Sequence, residues 1–259
     1  MKPTPSCLVS LVSVAALAAC IAGGAQAAPI DIVGYSQTGN TVINFEDIAG
    51  ADFPGLVYNG LVTSGGAMFG ERFQGQTLSF AVDPSSGAPT DVLSGAANGP
   101  LTLIAGALSQ NLAIYRFGGN NSLVPCSALT CGHPHGYGEG SFAVLFSGPV
   151  SYFGFEELFT DSFAATSTLD FFNTSGGLIQ RLTVSTVGSF GFARAGGVKD
   201  IAGVSVFTRD PGGLGYDNLV HDAVAVSGGI PEPASWVLMI AGFGLAGSAL
   251  RRRSRTVVA

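Results

Sequence analysis

Basic side chains are scarce in this chain, and their placement is uneven. Of the 11 Lys and Arg residues, only Arg72, Arg116, Arg181, Arg194, Lys199 and Arg209 lie between Ala28 and Pro231, where nearly all of the 17 acidic residues also lie. That middle part is decidedly acidic, which argues against a nucleic-acid surface and suits metal cations, glycans or simple solubility. Histidine is as rare: with His133, His135 and His221 the only three, a Ser-His-Asp arrangement has few members to draw on, and no Gly-x-Ser-x-Gly elbow occurs. No His-Glu-x-x-His motif, phosphate-cradling glycine loop or internal repeat is present. Of the four cysteines, Cys7 and Cys20 fall in the apolar start. Cys126 and Cys131 remain, separated by Ser-Ala-Leu-Thr, and an oxidising compartment predicts a local disulfide that staples a loop and does little for the global fold. Helical periodicity of useful length is also missing between Ala28 and Ile230.

The same stretch is instead rich in short runs of Phe, Val, Ile and Thr, cut by Gly, Pro, Asn and Asp. That pattern predicts an all-β fold, a single antiparallel β-sandwich over residues 28–229. Strands are expected at 41–46, 67–73, 77–82, 101–105, 112–117, 141–147, 150–155, 167–172, 178–184, 189–193 and 201–208. Alternation places Phe142, Val144 and Phe146 on one face of their strand, as it does Phe153 with Phe155, Phe190 with Phe192, and Ala202 and Val204 with Val206; these are the expected core. Asn173 to Gly177 reads as a hairpin loop, and 85–100 as a loosely ordered one.

Both ends have a different character. Lys2 followed by the small, apolar run Cys7 to Gly24 and by Ala25-Gln26-Ala27 reads as a signal peptide over 1–27, processed by signal peptidase after Ala27. Leu17-Ala18-Ala19-Cys20 offers a competing lipoprotein reading. At the other end, Pro231 and Pro233 fix φ and remove two backbone donors, so Pro231-Glu232-Pro233 is an extended strip that an enzyme cleft can grip. From Trp236 to Leu250 there are fifteen residues without a charge, about 22 Å as a helix, short for a hydrocarbon core of roughly 30 Å. Trp236 suits the interface, and Arg251, Arg252, Arg253 and Arg255 should stay in the cytoplasm, leaving the bulk of the chain outside.

In order and spacing, Pro231-Glu232-Pro233-Ala234-Ser235-Trp236, the apolar run Val237 to Leu245 and the arginine cluster resemble the PEP-CTERM sorting signal of Gram-negative bacteria, over residues 230–255. The resemblance implies an exosortase, a membrane-embedded cysteine transpeptidase, that recognises Pro-Glu-Pro and removes the transmembrane helix and basic tail. It also implies a transiently anchored protein passed on to the cell surface, or to an extracellular exopolysaccharide matrix. From Val150 to Val226 the text resembles the jelly-roll domain common in PEP-CTERM proteins, similar to carbohydrate-binding and lectin-like modules. In such modules the first and last strands lie side by side. That brings Glu46 and Asp47 towards Asp217 and Asn218, a set of hard oxygens suited to a structural Ca2+; a plain turn at Asp217-Asn218 is the competing reading.

Two other chemistries are weaker. His133, His135 and Glu139 beside Cys126 and Cys131 could hold zinc, but oxidised cysteines and the Pro- and Gly-rich context favour a loop. Glu156 and Glu157, as neighbours on a strand, point to opposite faces and cannot serve one glycosidic bond; they are expected at a strand end, one or both solvated. The expectation is a non-enzymatic exported protein, structural or adhesive. A calcium-dependent carbohydrate-binding module is the alternative, with Tyr35, Tyr58 and Tyr137 as exposed rings, and a secreted hydrolase comes third.

Overall fold

The computed structural model describes residues 28–82, 87, 89–133, 138–158, 166–185, 187–209 and 213–222. The expected signal peptide, the Pro-Glu-Pro strip, the apolar helix and the arginine cluster lie outside the described residues. Eighteen strands follow one another: β1 (Ile30–Val33), β2 (Thr41–Ile43), β3 (Leu56–Tyr58), β4 (Val62–Ser64), β5 (Ala67–Gly70), β6 (Arg72–Phe73), β7 (Thr77–Val82), β8 (Pro89–Ser94), β9 (Leu103–Ile104), β10 (Leu112–Phe117), β11 (Asn120–Pro125), β12 (Ser141–Val150), β13 (Tyr152–Leu158), β14 (Thr166–Phe172), β15 (Leu178–Val184), β16 (Ser189–Arg194), β17 (Ile201–Arg209) and β18 (Gly215–His221). Among the described residues there is no α-helix, and none is long and apolar enough to cross a membrane.

The larger sheet runs β1-β16-β13-β18-β11-β10-β3, with β2 also paired to β18; the smaller runs β15-β14-β17-β12-β5-β4. The strand pairs within both are antiparallel. The chain passes from the smaller sheet to the larger at Ser151, the one residue between β12 and β13. Alternation drives the two inner faces together. Phe142 of the smaller sheet meets Tyr216 of the larger at 4.8 Å between ring centroids, Phe146 meets Phe153 at 5.6 Å, and Phe171 meets Phe192 at 5.5 Å. These are tilted contacts of the kind aromatic quadrupoles favour, and they make the fold a β-sandwich. Of the residues expected in the core, Phe142, Val144, Phe146, Phe153, Phe155, Phe192, Val204 and Val206 are buried there and Phe190 packs at its margin, while Ala202 is buried outside that cluster.

The smaller sheet is covered on its outer face as well. The pair β6-β9 lays Phe73 against Phe172 at 5.5 Å, and the hairpin β7-β8 lies beside it. This outer layer is largely polar. Gln76 Nε2 donates to Ser205 Oγ at 2.9 Å, and Ser141 donates both its N–H and its hydroxyl to Asp91 Oδ2. Arg181 makes a two-pronged bridge to Asp170 while its guanidinium lies over Phe207. Burial pushes the Asp91 carboxyl up to about 7, against the hydrogen bonds from Ser141 and the nearby Arg72. Here the structure corrects the reading of 85–100 as a loose loop: β8 occupies Pro89–Ser94, with Thr90, Asp91 and Leu93 buried. The expected strand at 101–105 shortens to β9, and β1, β3, β4, β11 and β18 are strands beyond those expected.

Asn173 to Gly177 forms the expected hairpin loop. Asn173 Oδ1 accepts from the N–H groups of Ser175 and Gly177 and from the Ser175 hydroxyl, and Gly176 supplies a φ of 78°. Cys126 and Cys131 have their Cα atoms 4.9 Å and their sulfurs 1.99 Å apart, buried with Ala113 in a small cluster behind β10. Phe155 sits at the centre of the aromatic core, touching Phe153, Phe190, Phe192 and Tyr216. Truncation there leaves a cavity that the four rings cannot close. Phe155→Ala should therefore destabilise the mature protein by about 3–5 kcal/mol, read as a lower urea midpoint at unchanged slope.

Candidate functional site

The register of β18 builds an acidic site on the outer face of the larger sheet. Against β13, Glu156 pairs with Asp217 and Gly154 with Val220, so two residues of β18, Asn218 and Leu219, oppose the single Phe155. This is a β-bulge, and Asn218 takes it with φ of 47°, a conformation that asparagine tolerates better than most side chains. On the other side of β18, Leu219 pairs with Ile43, which lays the end of β2 and the turn Asn44-Phe45-Glu46 beside the bulge. Phe45 also has positive φ, 59°, with its ring buried against Phe69. Asn121 holds this turn by donating Nδ2 to the carbonyls of Phe45 and Ile48 and its N–H to Glu46 Oε1 at 2.7 Å.

Glu156 and Asp217 face each other across the bulge, and Glu46 lies near enough to add its charge. Asp217 is buried and accepts from the Asn218 N–H at 2.6 Å; Asn218 Nδ2 donates to Glu156 Oε2 at 2.7 Å. Burial pushes Asp217 up to about 6 against that backbone hydrogen bond, with Glu156 and Glu46 adding like-charge repulsion. Tyr35 lies across the site and donates its hydroxyl to the Asn218 carbonyl at 2.7 Å. Burial pushes that phenol up to about 12, opposed by Gln37 and reinforced by Glu156, Tyr152 and Asp217. Gly154 leaves room for the ring: a Cβ there would come within 3.2 Å of Tyr35 and 2.6 Å of the Phe190 carbonyl.

Of the four residues expected to bind calcium, Glu46, Asp217 and Asn218 meet at this site, and Asp47 does not. Its two oxygens accept from the Ser64 hydroxyl at 2.5 Å and the Gly65 N–H at 3.1 Å, tying the turn to the β4-β5 hairpin of the opposite sheet. Asp217-Asn218 is a bulge within a strand, not a plain turn. Among the described residues, no group of three or more His, Cys, Asp and Glu side chains stands close enough to hold a metal ion.

Glu156 is the member that strand patterning missed. As expected, Glu157 points the other way, but it is buried, with Oε1 accepting from the Ser167 hydroxyl at 2.6 Å, and so is not solvated. Tyr35 and Tyr58 both spend their hydroxyls on backbone carbonyls, and Tyr137 lies outside the described residues. His135 also lies outside them; His133 is exposed, and the sulfurs of Cys126 and Cys131 lie 1.99 Å apart. His221 is a core residue, 5.2 Å from the Phe146 ring, and burial lowers its proton affinity despite a hydrogen bond involving the Gly65 backbone and the nearby Asp222.

Comparison with protein families matches residues 229–253 to the PEP-CTERM protein-sorting motif. The chain carries a PEP-CTERM sorting signal. Pro231, Glu232, Pro233, Trp236, Arg251, Arg252 and Arg253 all fall inside the match. The motif marks an exported protein, anchored transiently in the membrane, sorted to the cell surface and processed by an exosortase. No curated protein and no solved structure matches the chain.

The raised Asp217 proton affinity sets a sign for pH dependence. The folded state binds this proton more tightly than the unfolded chain does, so the contribution to stability is complete below about pH 4 and is lost as pH rises through about 6. Asp217→Asn keeps the acceptor for the Asn218 N–H and removes the charge. It should raise stability by about 1–3 kcal/mol at pH 8 and change little at pH 4, measured by denaturant titration in a chelator.

Proposed function

We propose that the protein is a non-catalytic β-sandwich delivered by its PEP-CTERM signal to the envelope or exopolysaccharide matrix of a Gram-negative bacterium, where it serves as a structural or adhesive component. The observation that carries this reading is the sorting motif at 229–253 behind a sandwich whose buried polar groups hold its own strands. Replacing Pro231, Glu232 and Pro233 by alanine should abolish exosortase processing, so that the full-length form accumulates in the membrane fraction on immunoblots. Deleting the gene should weaken biofilm or floc cohesion in a shear assay, and normal cohesion would remove the matrix role.

A second reading, a calcium-dependent carbohydrate-binding module, draws on two observations. One is the cluster of Glu46, Glu156 and Asp217. The other is an aromatic group on the outer face of the larger sheet: Phe53 and Phe117, each more than half exposed, flank Tyr115 at 6.4 and 6.2 Å. Exposed ring faces stack against the apolar faces of sugars. Calcium should raise the melting temperature of the wild-type protein and not that of Asp217→Asn. A glycan array run with calcium and with chelator should then show binding that Phe117→Ala and Tyr115→Ala reduce. No binding under either condition leaves the structural role alone.

A further inference from the structure

Both membrane-directed segments of the precursor join the sandwich on one rim. The larger sheet has β1, β16, β13 and β18 as successive antiparallel neighbours. Hence the start of β1, the end of β16, the start of β13 and the end of β18 all lie at the same end. The hydrogen bonds along this rim are continuous. Ala195 N–H donates to the Pro29 carbonyl at 2.9 Å, Arg194 N–H to the Ser151 carbonyl at 2.8 Å, and Ser151 N–H to Asp222 Oδ1 at 2.8 Å. Three strand spacings of about 4.8 Å put the two attachment points roughly 14 Å apart.

Each attachment is pinned where it leaves. Gln180, reaching from the smaller sheet, accepts from the Ile30 N–H at 2.7 Å and donates to the Ile30 carbonyl at 3.2 Å. Asp222 receives the N–H groups of Ser151 and Tyr152 and the Ser151 hydroxyl, and Lys199 Nζ lies 2.8 Å from its carbonyl and 3.3 Å from its carboxylate. The tethers are short. Before cleavage after Ala27, two residues, 28 and 29, separate the signal segment from β1, and eight residues, 223–230, separate Asp222 from Pro231. At about 3.3–3.6 Å per residue the second tether spans no more than about 30 Å. Between the attachment points the rim is topped by Ala195 to Lys199, with Val198 45 % exposed at its crest.

We infer that before sorting is complete this rim, formed by Ser151, residues 195–199 and Asp222, faces the bilayer surface, and that the opposite end of the sandwich points away from it. The inference rests on the sorting reading, because the tail must be in the membrane for the rim to be held there. It goes beyond that reading in assigning which end of the domain meets lipid. The opposite end, where Ser185 is exposed, stands about 20–25 Å further out by the length of the strands.

The test uses the full chain, with Cys7 and Cys20 replaced by serine, reconstituted in phosphatidylethanolamine/phosphatidylglycerol vesicles without an exosortase. A fluorophore is attached at Val198→Cys or, separately, at Ser185→Cys, and doxyl-labelled lipids serve as quenchers. Quenching at position 198 should exceed that at 185 several-fold. Equal quenching, or stronger quenching at 185, in a chain that floats with the vesicles overturns the orientation while leaving the anchored precursor intact. A chain that does not float with the vesicles overturns both.

Discussion

Strand β18 closes the sandwich, although it is the last of the described strands in sequence. It is an interior strand of the larger sheet, bonded to β13 on one side and to β11 and β2 on the other. Its Tyr216 fills the core against Phe142 and Phe155, and its hydroxyl ends a buried chain through Thr208 and Ser167 to Glu157. A buried phenol needs such partners, and here they come from β13, β14 and β17, so one side chain ties the hydrophobic packing to the polar end of both sheets. Without β18, β13 and β11 would each lose a partner, and β2 its place in the sheet.

The same strand accounts for the acidic site. Glu156 and Asp217 stand directly opposite each other, an arrangement that costs stability unless something separates or bridges the charges. Asn218 does the bridging, with its N–H on Asp217 and its side-chain amide on Glu156, and the bulge is what allows one residue to reach both. Burial of Asp217 then shifts the balance towards its protonated form. Asp47, which braces the two sheets, lies apart from this site.

How much of this could be read in advance follows from the chemistry of each face. Strands whose inner face carries Phe and Val in strict alternation, such as β12, β13 and β17, were legible with their core residues, because one face meets apolar side chains and the period of two survives. Strand β8 was not. It reads Pro-Thr-Asp-Val-Leu-Ser, since it covers a largely polar outer face of the smaller sheet and two of its three buried positions are occupied by Thr90 and Asp91. Strands β1, β3 and β4 have three or four residues, too few for any period to show. At the candidate site, adjacency of the first and last strands brought Glu46, Asp217 and Asn218 into view. The part of Glu156 depends on a register shift across a bulge, which residue spacing along one strand does not encode.

The interior place of β18 also bears on the order of events during export. The larger sheet is complete only once the chain up to His221 has crossed the membrane, and from there Asp222 and a tether of eight residues lead to Pro231. A strand with neighbours on both sides cannot be withdrawn without breaking the ladders that hold it. Folding therefore fixes the point on the sandwich from which the tether to the sorting signal leaves. The acidic sandwich and the basic tail are in this sense one design: the tail supplies the address, and the last strand supplies the rigid point from which it is displayed.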